Sequence, residues 1–407
     1  MAQVFSIIRS YFKGDKWLLS AVMFLIVLSV LAVYSSTSAL AYQKMHGDTS
    51  YYLFRHCSML IGGLLCLGLA SNVRPKYYSG LSIIMVGVSI LLLIGALVAG
   101  SSINGSSRWI RLGIVSFQPS EIAKVSLMLF AARQLAEHGD DPDKAFWPIV
   151  TAAGAVCGLI LLENLSTFLL VALSVGALMI IGRVSISKLM LLGGGLAIFV
   201  GILIYFAPQV SSVFPPAKRA VTWHNRIERF IAADDEQTTG PRRNEKTQEE
   251  QALTAVSTGG LAGRGPGNSY MKNFLPMAYS DFIFSTILEE YGLWGGLLVV
   301  AAYFMIFARS RILAIQSKKE FHLYTVAGLG IMLTLQAIIN MMVGVGLMPV
   351  TGQTLPMVSM GGTSNLITGV TFGIMLSVSE ETKRLGDAPT VMSGKGKRSA
   401  AANANNN

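Results

Sequence analysis

Glu121 and Lys124 stand three residues apart in VSFQPSEIAKVSLMLF, which puts a carboxylate and an ammonium on one face of a helix. The surrounding run is apolar, and ionisable groups in such a setting face each other or a cavity. Spacing alone leaves two readings: an ion pair that helps packing, or a charged wall of a site. Upstream, Arg108, Trp109 and Arg111 lie in NGSSRWIRLG. They suit an interfacial anchor with the indole at headgroup depth. They also suit an anion site, because guanidinium groups chelate phosphate oxygens. Asp281, in LPMAYSDFIFSTILEEYG, precedes a long apolar run. It can cap or charge-stabilise a helix N-terminus, or serve as a general base at a membrane surface. In the second role burial would raise its pKa and a cation such as Lys124 would lower it. Glu289 and Glu290 lie roughly 12 Å deeper at helical rise and read as structural partners of polar groups in the bundle.

Pro349 to Ser364 reads PVTGQTLPMVSMGGTS. Prolines and glycines interrupt an apolar run there, and hydroxyls follow. Non-helical backbone at membrane depth is tolerated only where it is buried in protein or lines a cavity. A plain loop between spans explains the Pro and Gly but not the length of the polar segment. Gly263, Gly265 and Gly267 in GRGPG resemble a phosphate-binding loop only superficially, since no strand-then-helix context or Lys-Ser pair accompanies them.

The elements that must position these residues are membrane spans. The chain has 407 residues, of which 52% are hydrophobic and 13% charged; its mean hydropathy is +0.54. A typical soluble domain carries about 25% charged residues, so a soluble enzyme and a disordered scaffold are both excluded. Runs free of Asp, Glu, Lys and Arg extend over Trp17–Gln43, His56–Val73 and Tyr77–Ser107. A fourth span, Val115–Leu135, holds Glu121 and Lys124. Ala145–Leu162, Asn164–Gly182, Leu189–Pro208 and Asp281–Ala308 follow. Phe321–Ser379 is too long for one span and breaks at Pro349, Gly352, Pro356 and Gly361-Gly362 into two.

The predicted architecture is an all-α polytopic membrane protein of ten transmembrane helices. Its expected divisions are a cytoplasmic N-terminus (1–16), spans one to seven (17–208), a large extracytoplasmic loop (209–280), spans eight to ten (281–380) and a cytoplasmic basic tail (381–407). Every second loop is rich in Lys and Arg, as at Arg74 and Lys76 or Arg309 and Arg311, and these are cytoplasmic by the positive-inside rule. Both termini are then cytoplasmic. The first apolar run is long enough to be a retained span rather than a cleaved signal. The net charge of +10 belongs to those loops and not to a nucleic-acid footprint. Cys57, Cys66 and Cys157 all lie in apolar runs, which excludes a disulfide framework. In the large loop, Val221–Ala232 reads as an amphipathic stretch on the membrane surface, and Asp234–Glu250 as polar and mobile. Gly394–Asn407 reads as a disordered tail.

These blocks, in this order, resemble the SEDS family (shape, elongation, division and sporulation) of peptidoglycan glycosyltransferases, the FtsW, RodA and SpoVE relatives. The likeness runs from Trp17 to about Lys383 and rests on NGSSRWIRLG, FQPSEIAK, QALTAVSTGGLAGRGPGNS, LPMAYSDFIF with EEYG, and GQTLPMVSMGGTS. The RWI and QPSE wording and the polar tail are most similar to the FtsW branch; the RodA branch shares most blocks. The resemblance implies Asp281 as the catalytic base. It implies substrate contacts at Arg108, Trp109, Arg111, Gln118, Ser120, Glu121 and Lys124. It extends these to Arg226 and Arg229 in the large loop and to Ser359, Gly361, Gly362 and Ser364. Tyr279 and Ser280 stand where many members have His and Thr, Thr351 where many have Lys, and Met360 where Tyr is common.

The resemblance further implies lipid II and the growing glycan strand as substrates at the bacterial inner membrane. The acceptor 4-hydroxyl would attack the donor's anomeric carbon, Asp281 would take its proton, and undecaprenyl pyrophosphate would leave. Septal wall synthesis in division is the expected role, with RodA-type elongation as the alternative. A class B penicillin-binding protein, other division proteins and membrane lipids are the implied partners. A divalent cation, Mg²⁺ or Mn²⁺, beside Asp281 is implied by the family only, since no metal-ligand spacing is present. A lipid II flippase is the competing class: ten spans, an internal Lys and broken helices suit a transporter too.

Overall fold

The computed structural model describes residues 13–38, 49–99, 101–103, 106–112, 115–209, 218–231, 242–275 and 277–387. The apolar runs are helices: α1 Lys16–Ser36, α2 Thr49–Asn72, α3 Pro75–Ala99, α4 Pro119–Glu137, α5 Phe146–Glu163, α6 Leu165–Ile181 and α7 Ile186–Tyr205. After the large loop come α10 Ile283–Gln316, α11 Glu320–Gly344 and α12 Thr363–Asp387. The large loop contributes α8 Lys218–Ile231 and α9 Arg242–Gly259. Local chemistry sets the boundaries. The Asp15 carboxylate accepts from Leu18 N at 2.8 Å and caps α1. Asn164, extended at φ −156 and ψ 101, separates α5 from α6 and caps the latter through Ser166 N at 3.1 Å.

Seven helices are long and apolar enough to cross a membrane, among the described residues. The chain is a multi-pass membrane protein. Three further helices fall short of that measure for visible reasons: α6 is 17 residues long, α4 carries Glu121, Lys124, Arg133 and Glu137, and α12 is rich in Ser and Thr. The solvent shows in how polarity is distributed. Leu91, Val98, Met190, Leu191 and Ile198 face outward, whereas Lys124, Gln336, Asn340 and Glu289 are buried. Against lipid, helices associate through close packing of small residues. A Cβ added at Gly369 of α12 would lie 2.1 Å from the Gly63 carbonyl oxygen of α2.

The loop after α3 is a small antiparallel sheet, β1 Ser101–Ile103, β2 Ser106–Leu112 and β3 Val115–Phe117. β2 and β3 pair Ile110 with Phe117, Arg111 with Ser116 and Leu112 with Val115. The large loop departs from expectation. Residues 242–250, read from sequence as part of a mobile stretch, begin α9, a segment of Arg, Glu, Lys and Gln with good helix propensity. Residues 232–241 and 388–407 lie outside the described residues, so the expected tail disorder does too. α12 continues to Asp387, past the boundary expected at 380.

Long-range contacts sort the loops to two ends. At one end Thr363 Oγ1 donates to Ser116 O at 3.0 Å, and Arg226 Nη1 to Val350 O at 2.8 Å. At the other, Arg309 bonds Asp15, Lys319 meets Glu381 at 2.9 Å, and Lys383 Nζ donates to Gly14 O at 2.7 Å.

Candidate active site

The site is organised by the segment from 345 to 362, which joins α11 to α12 without regular structure. Its carbonyls and amides have no helix to satisfy them, so buried polar groups must come from neighbours. They do. Gln336 Nε2 of α11 donates to Thr354 O at 2.9 Å, and Asn340 Nδ2 to Gln353 O at 2.7 Å. Ser29 Oγ of α1 donates to Val358 O at 2.7 Å, and Tyr303 OH of α10 to Pro356 O at 2.5 Å. Gln353 Nε2 reaches Thr167 Oγ1 of α6 at 2.8 Å. Met357 within it and Met277 before Asp281 both take left-handed backbone, φ 62 and φ 60, which bulky residues adopt only where surrounding contacts enforce it.

Glu121 and Lys124 of α4 lie under this segment. Lys124 Nζ bonds Glu121 Oε1 at 2.9 Å and Gln336 Oε1 at 2.9 Å, and the lysine is 1% exposed. Two of its three donors are directed to these groups. Ser364 Oγ donates to Glu121 Oε2 at 3.1 Å. The pair is therefore joined to both α11 and α12.

Asp281 stands half-buried just before α10. Ser280 Oγ donates to its Oδ1 at 2.8 Å, and Asn340 Nδ2 donates to its main-chain carbonyl at 3.0 Å. Ser359 Oγ accepts from Leu355 N at 2.8 Å and donates to Ser280 O at 2.7 Å, and Met360 N donates to Tyr279 O at 2.9 Å. The 279–281 strip is thus stitched to the 345–362 segment. Burial raises the Tyr279 phenol, and the Asp281 carboxylate raises it further, while Arg55 of α2 opposes them. Arg55, exposed near this rim, was not singled out in the sequence.

Of the residues the sequence singled out, Asp281, Glu121, Lys124, Ser359, Ser364 and Arg226 converge on the 345–362 segment. Gln118 Nε2 bonds Ser120 Oγ at 3.0 Å where α4 begins. Gly361 and Gly362 form the turn into α12, the latter at φ 55. Trp109 is partly buried in β2. Arg108 and Arg111 lie in β2 and Arg229 in α8. Arg226 also stacks on Trp223 at 5.2 Å. Gln336, Asn340, Gln353 and Thr167 were missed. The available signal was a Gln and an Asn one turn apart in an otherwise apolar helix.

Glu290 bonds a group of the bundle, as expected, whereas the partners of Glu289 come from the large loop. Tyr270 N at 2.9 Å, Met271 N at 3.3 Å and Ser269 Oγ donate to Glu289, and Ser35 Oγ donates to Glu290. The glycine loop serves this packing. Gly292, at φ 66 inside α10, lies so close that an added Cβ would be 2.4 Å from Gly263 N. No group of three or more His, Cys, Asp or Glu positioned to hold a metal occurs among the described residues.

The buried polar groups of the helical bundle and the half-buried carboxylate of Asp281 thus meet around the 345–362 segment. Residues 16–384 match the model of the FtsW, RodA and SpoVE family, described as a cell cycle protein, and the chain belongs to that family. Among curated relatives, the probable peptidoglycan glycosyltransferase FtsW of Thioalkalivibrio sulfidiphilus is 34% identical over 379 residues, 91% of each chain. The protein of the same description from Nitrosomonas europaea is 33% identical over 380 residues, 91% of this chain and 93% of its own. A chain from a solved peptidoglycan synthase complex, described by its structural coordination of polymerization and crosslinking, superposes with a TM-score of 0.70. It is 26% identical and covers 91% of this chain and 98% of its own. The rod shape determining protein RodA of Thermus thermophilus gives a TM-score of 0.65 at 25% identity, covering 92% and 99%.

Proposed function

We propose that this chain is a peptidoglycan glycosyltransferase of the division type, which polymerises lipid II into glycan strands at the bacterial inner membrane. The observation that carries the reading is the attachment of both Asp281 and the Glu121–Lys124 pair to one braced segment at one end of a polar-cored bundle. A base and a cation held in fixed relation suit an in-line displacement. In this reading the acceptor's GlcNAc 4-hydroxyl attacks the anomeric carbon of the donor. The new O–C1 bond forms as the C1–O bond to pyrophosphate breaks. Asp281 takes the hydroxyl proton, and undecaprenyl pyrophosphate leaves with the electron pair. Inversion gives the β-1,4 link. Lys124's remaining donor and the arginines Arg108, Arg111 and Arg229 favour the leaving group, whose negative charge grows in the transition state. Asp281 offers one carboxylate to a divalent ion.

Ten spans with both termini cytoplasmic fit the sorting of loops to two ends, with Asp281 on the outer side. The amphipathic α8 then rests at the outer surface. The higher identity to relatives named FtsW than to the solved RodA chain favours septal synthesis over elongation. The solved neighbour from a synthase complex favours a class B penicillin-binding protein as partner. The test is polymerisation of purified lipid II by the purified chain in liposomes, with and without its transpeptidase. Glycan strands are the expected product. Translocation of lipid II with no glycan in any mixture would make the chain a flippase instead.

A further inference from the structure

Gln336 and Asn340 lie four residues apart on α11, and so on one face of it. They are 2% and 1% exposed. A buried primary amide in an apolar helix is unfavourable unless its hydrogen bonds are made. Neither amide is needed to satisfy the helix, and both bond outside it. Their loop targets are neighbouring main-chain carbonyls, Thr354 for Gln336 at 2.9 Å and Gln353 for Asn340 at 2.7 Å. Each amide has a second partner across the site. Gln336 Oε1 accepts from Lys124 Nζ at 2.9 Å, and Asn340 Nδ2 donates to the Asp281 carbonyl at 3.0 Å. Two bridges therefore run in parallel: Lys124 to Gln336 to Thr354, and Asp281 to Asn340 to Gln353.

The chemistry fixes which way each amide points. Both contacts of Asn340 are carbonyl oxygens, so its nitrogen must face them, and Oδ1 is left buried without a partner. An acceptor-only carboxylate cannot replace it. Gln336 must present oxygen to an ammonium and nitrogen to a carbonyl. Packing alone would be met by Leu or Met at either position.

We propose that Gln336 and Asn340 are positioning residues that hold Lys124 and Asp281 at a fixed separation by clamping the 353–354 backbone between them. The proposal rests on the polymerase reading and adds two residues to it. Neither touches the reacting atoms. A base displaced by about 1 Å loses on the order of 100-fold in rate while the substrate's remote contacts persist.

The test measures kcat and KM for lipid II polymerisation with the purified full chain, per molecule that elutes as a monodisperse peak and melts cooperatively. The variants are Asn340→Leu, Gln336→Met and Gln336→Glu, with wild type and Asp281→Asn alongside. Asn340→Leu is expected to lower kcat about 100-fold with KM changed less than about 2-fold. Gln336→Glu keeps the lysine contact and loses the donor to Thr354, so its kcat is expected to lie between those of wild type and Gln336→Met. Should Asn340→Leu fail to fold, Asn340→Ser, which keeps one donor, is read in its place with an intermediate kcat expected. Near-wild-type kcat in the Leu and Met variants would overturn the proposal, as would a loss carried by KM alone. Absence of glycan from wild type, or full activity of Asp281→Asn, would overturn the polymerase reading instead.

Discussion

Two carboxylates at the start of α10, Asp281 and Glu289, sit roughly two helical turns apart, and each meets a glycine-containing loop. Around Glu289 the loop comes to the carboxylate. Two main-chain amides and the Ser269 hydroxyl donate to it, Arg264 Nη1 lies 3.7 Å away, and the residue is fully buried. Around Asp281 the loop is held from elsewhere. α1, α10 and α11 grip its carbonyls, and the aspartate is anchored through its own main chain and by the Ser280 hydroxyl on Oδ1, with its side chain half-buried at the rim. A carboxylate whose acceptors face main-chain donors holds structure. In the proposed reading, a half-buried carboxylate braced through its backbone and one neighbouring hydroxyl is the one that does chemistry.

Glu289→Ala should have the largest effect on folding. It strands the buried Ser269 hydroxyl and the part-buried amides of Tyr270 and Met271, a buried donor being worth about 1–3 kcal/mol when unsatisfied, and a loss of roughly 3–5 kcal/mol is expected. A thermal melt in detergent checks it; an unchanged melt would erase the contrast with Asp281.

The Glu121–Lys124 pair sharpens the comparison from the other side. Lys124→Met leaves a buried carboxylate without its ammonium and should destabilise by about 3 kcal/mol. Adding Glu121→Gln should recover most of that loss. Glycan synthesis should stay absent in the double variant, because the cation is still missing. Activity that returns together with stability would make the pair structural, like Glu289.

Much of this contrast was legible in the sequence. Charged residues in apolar runs announce themselves, so Glu121, Lys124, Asp281 and Glu289 stood out, and the broken run after α11 marked the organising segment. Gln336 and Asn340 did not, because uncharged amides do not interrupt a run read by its lack of formal charge, and their partners across the site, Lys124 and Asp281, are distant in sequence. The sheet was hidden for another reason. Three short strands offer too few residues for alternation to register, and Ser-Arg-Trp-Ile-Arg-Leu read as a loop. The α9 helix was concealed by its polarity, since span reading keys on apolar residues.

Smaller effects bear on the scaffold shared by both carboxylates. Gly369→Ala would place a Cβ 2.1 Å from the Gly63 carbonyl and force α2 from α12, with about 1–3 kcal/mol lost and a lower melting temperature. The smallest effect is expected at the opposite end of the bundle. Ser185 N donates to Asp143 at 2.8 Å and Lys188 lies 3.0 Å from it; the amide first, then the lysine, hold its carboxyl below the usual aspartate range. A depressed folded-state pKa gives stability above the ordinary aspartate pKa that is lost as pH falls through the lowered value. Asp143→Asn should therefore melt slightly lower at pH 7 and match wild type in strong acid.

The most direct measurement compares glycan polymerisation by Asp281→Asn and Glu289→Gln, each normalised to folded protein and run with lipid II in liposomes. Asp281→Asn is predicted to fold and melt like wild type and to make no glycan strands. Glu289→Gln is predicted to melt lower and to retain turnover in whatever fraction folds. Turnover by a folded Asp281→Asn chain near the wild-type rate would contradict the account.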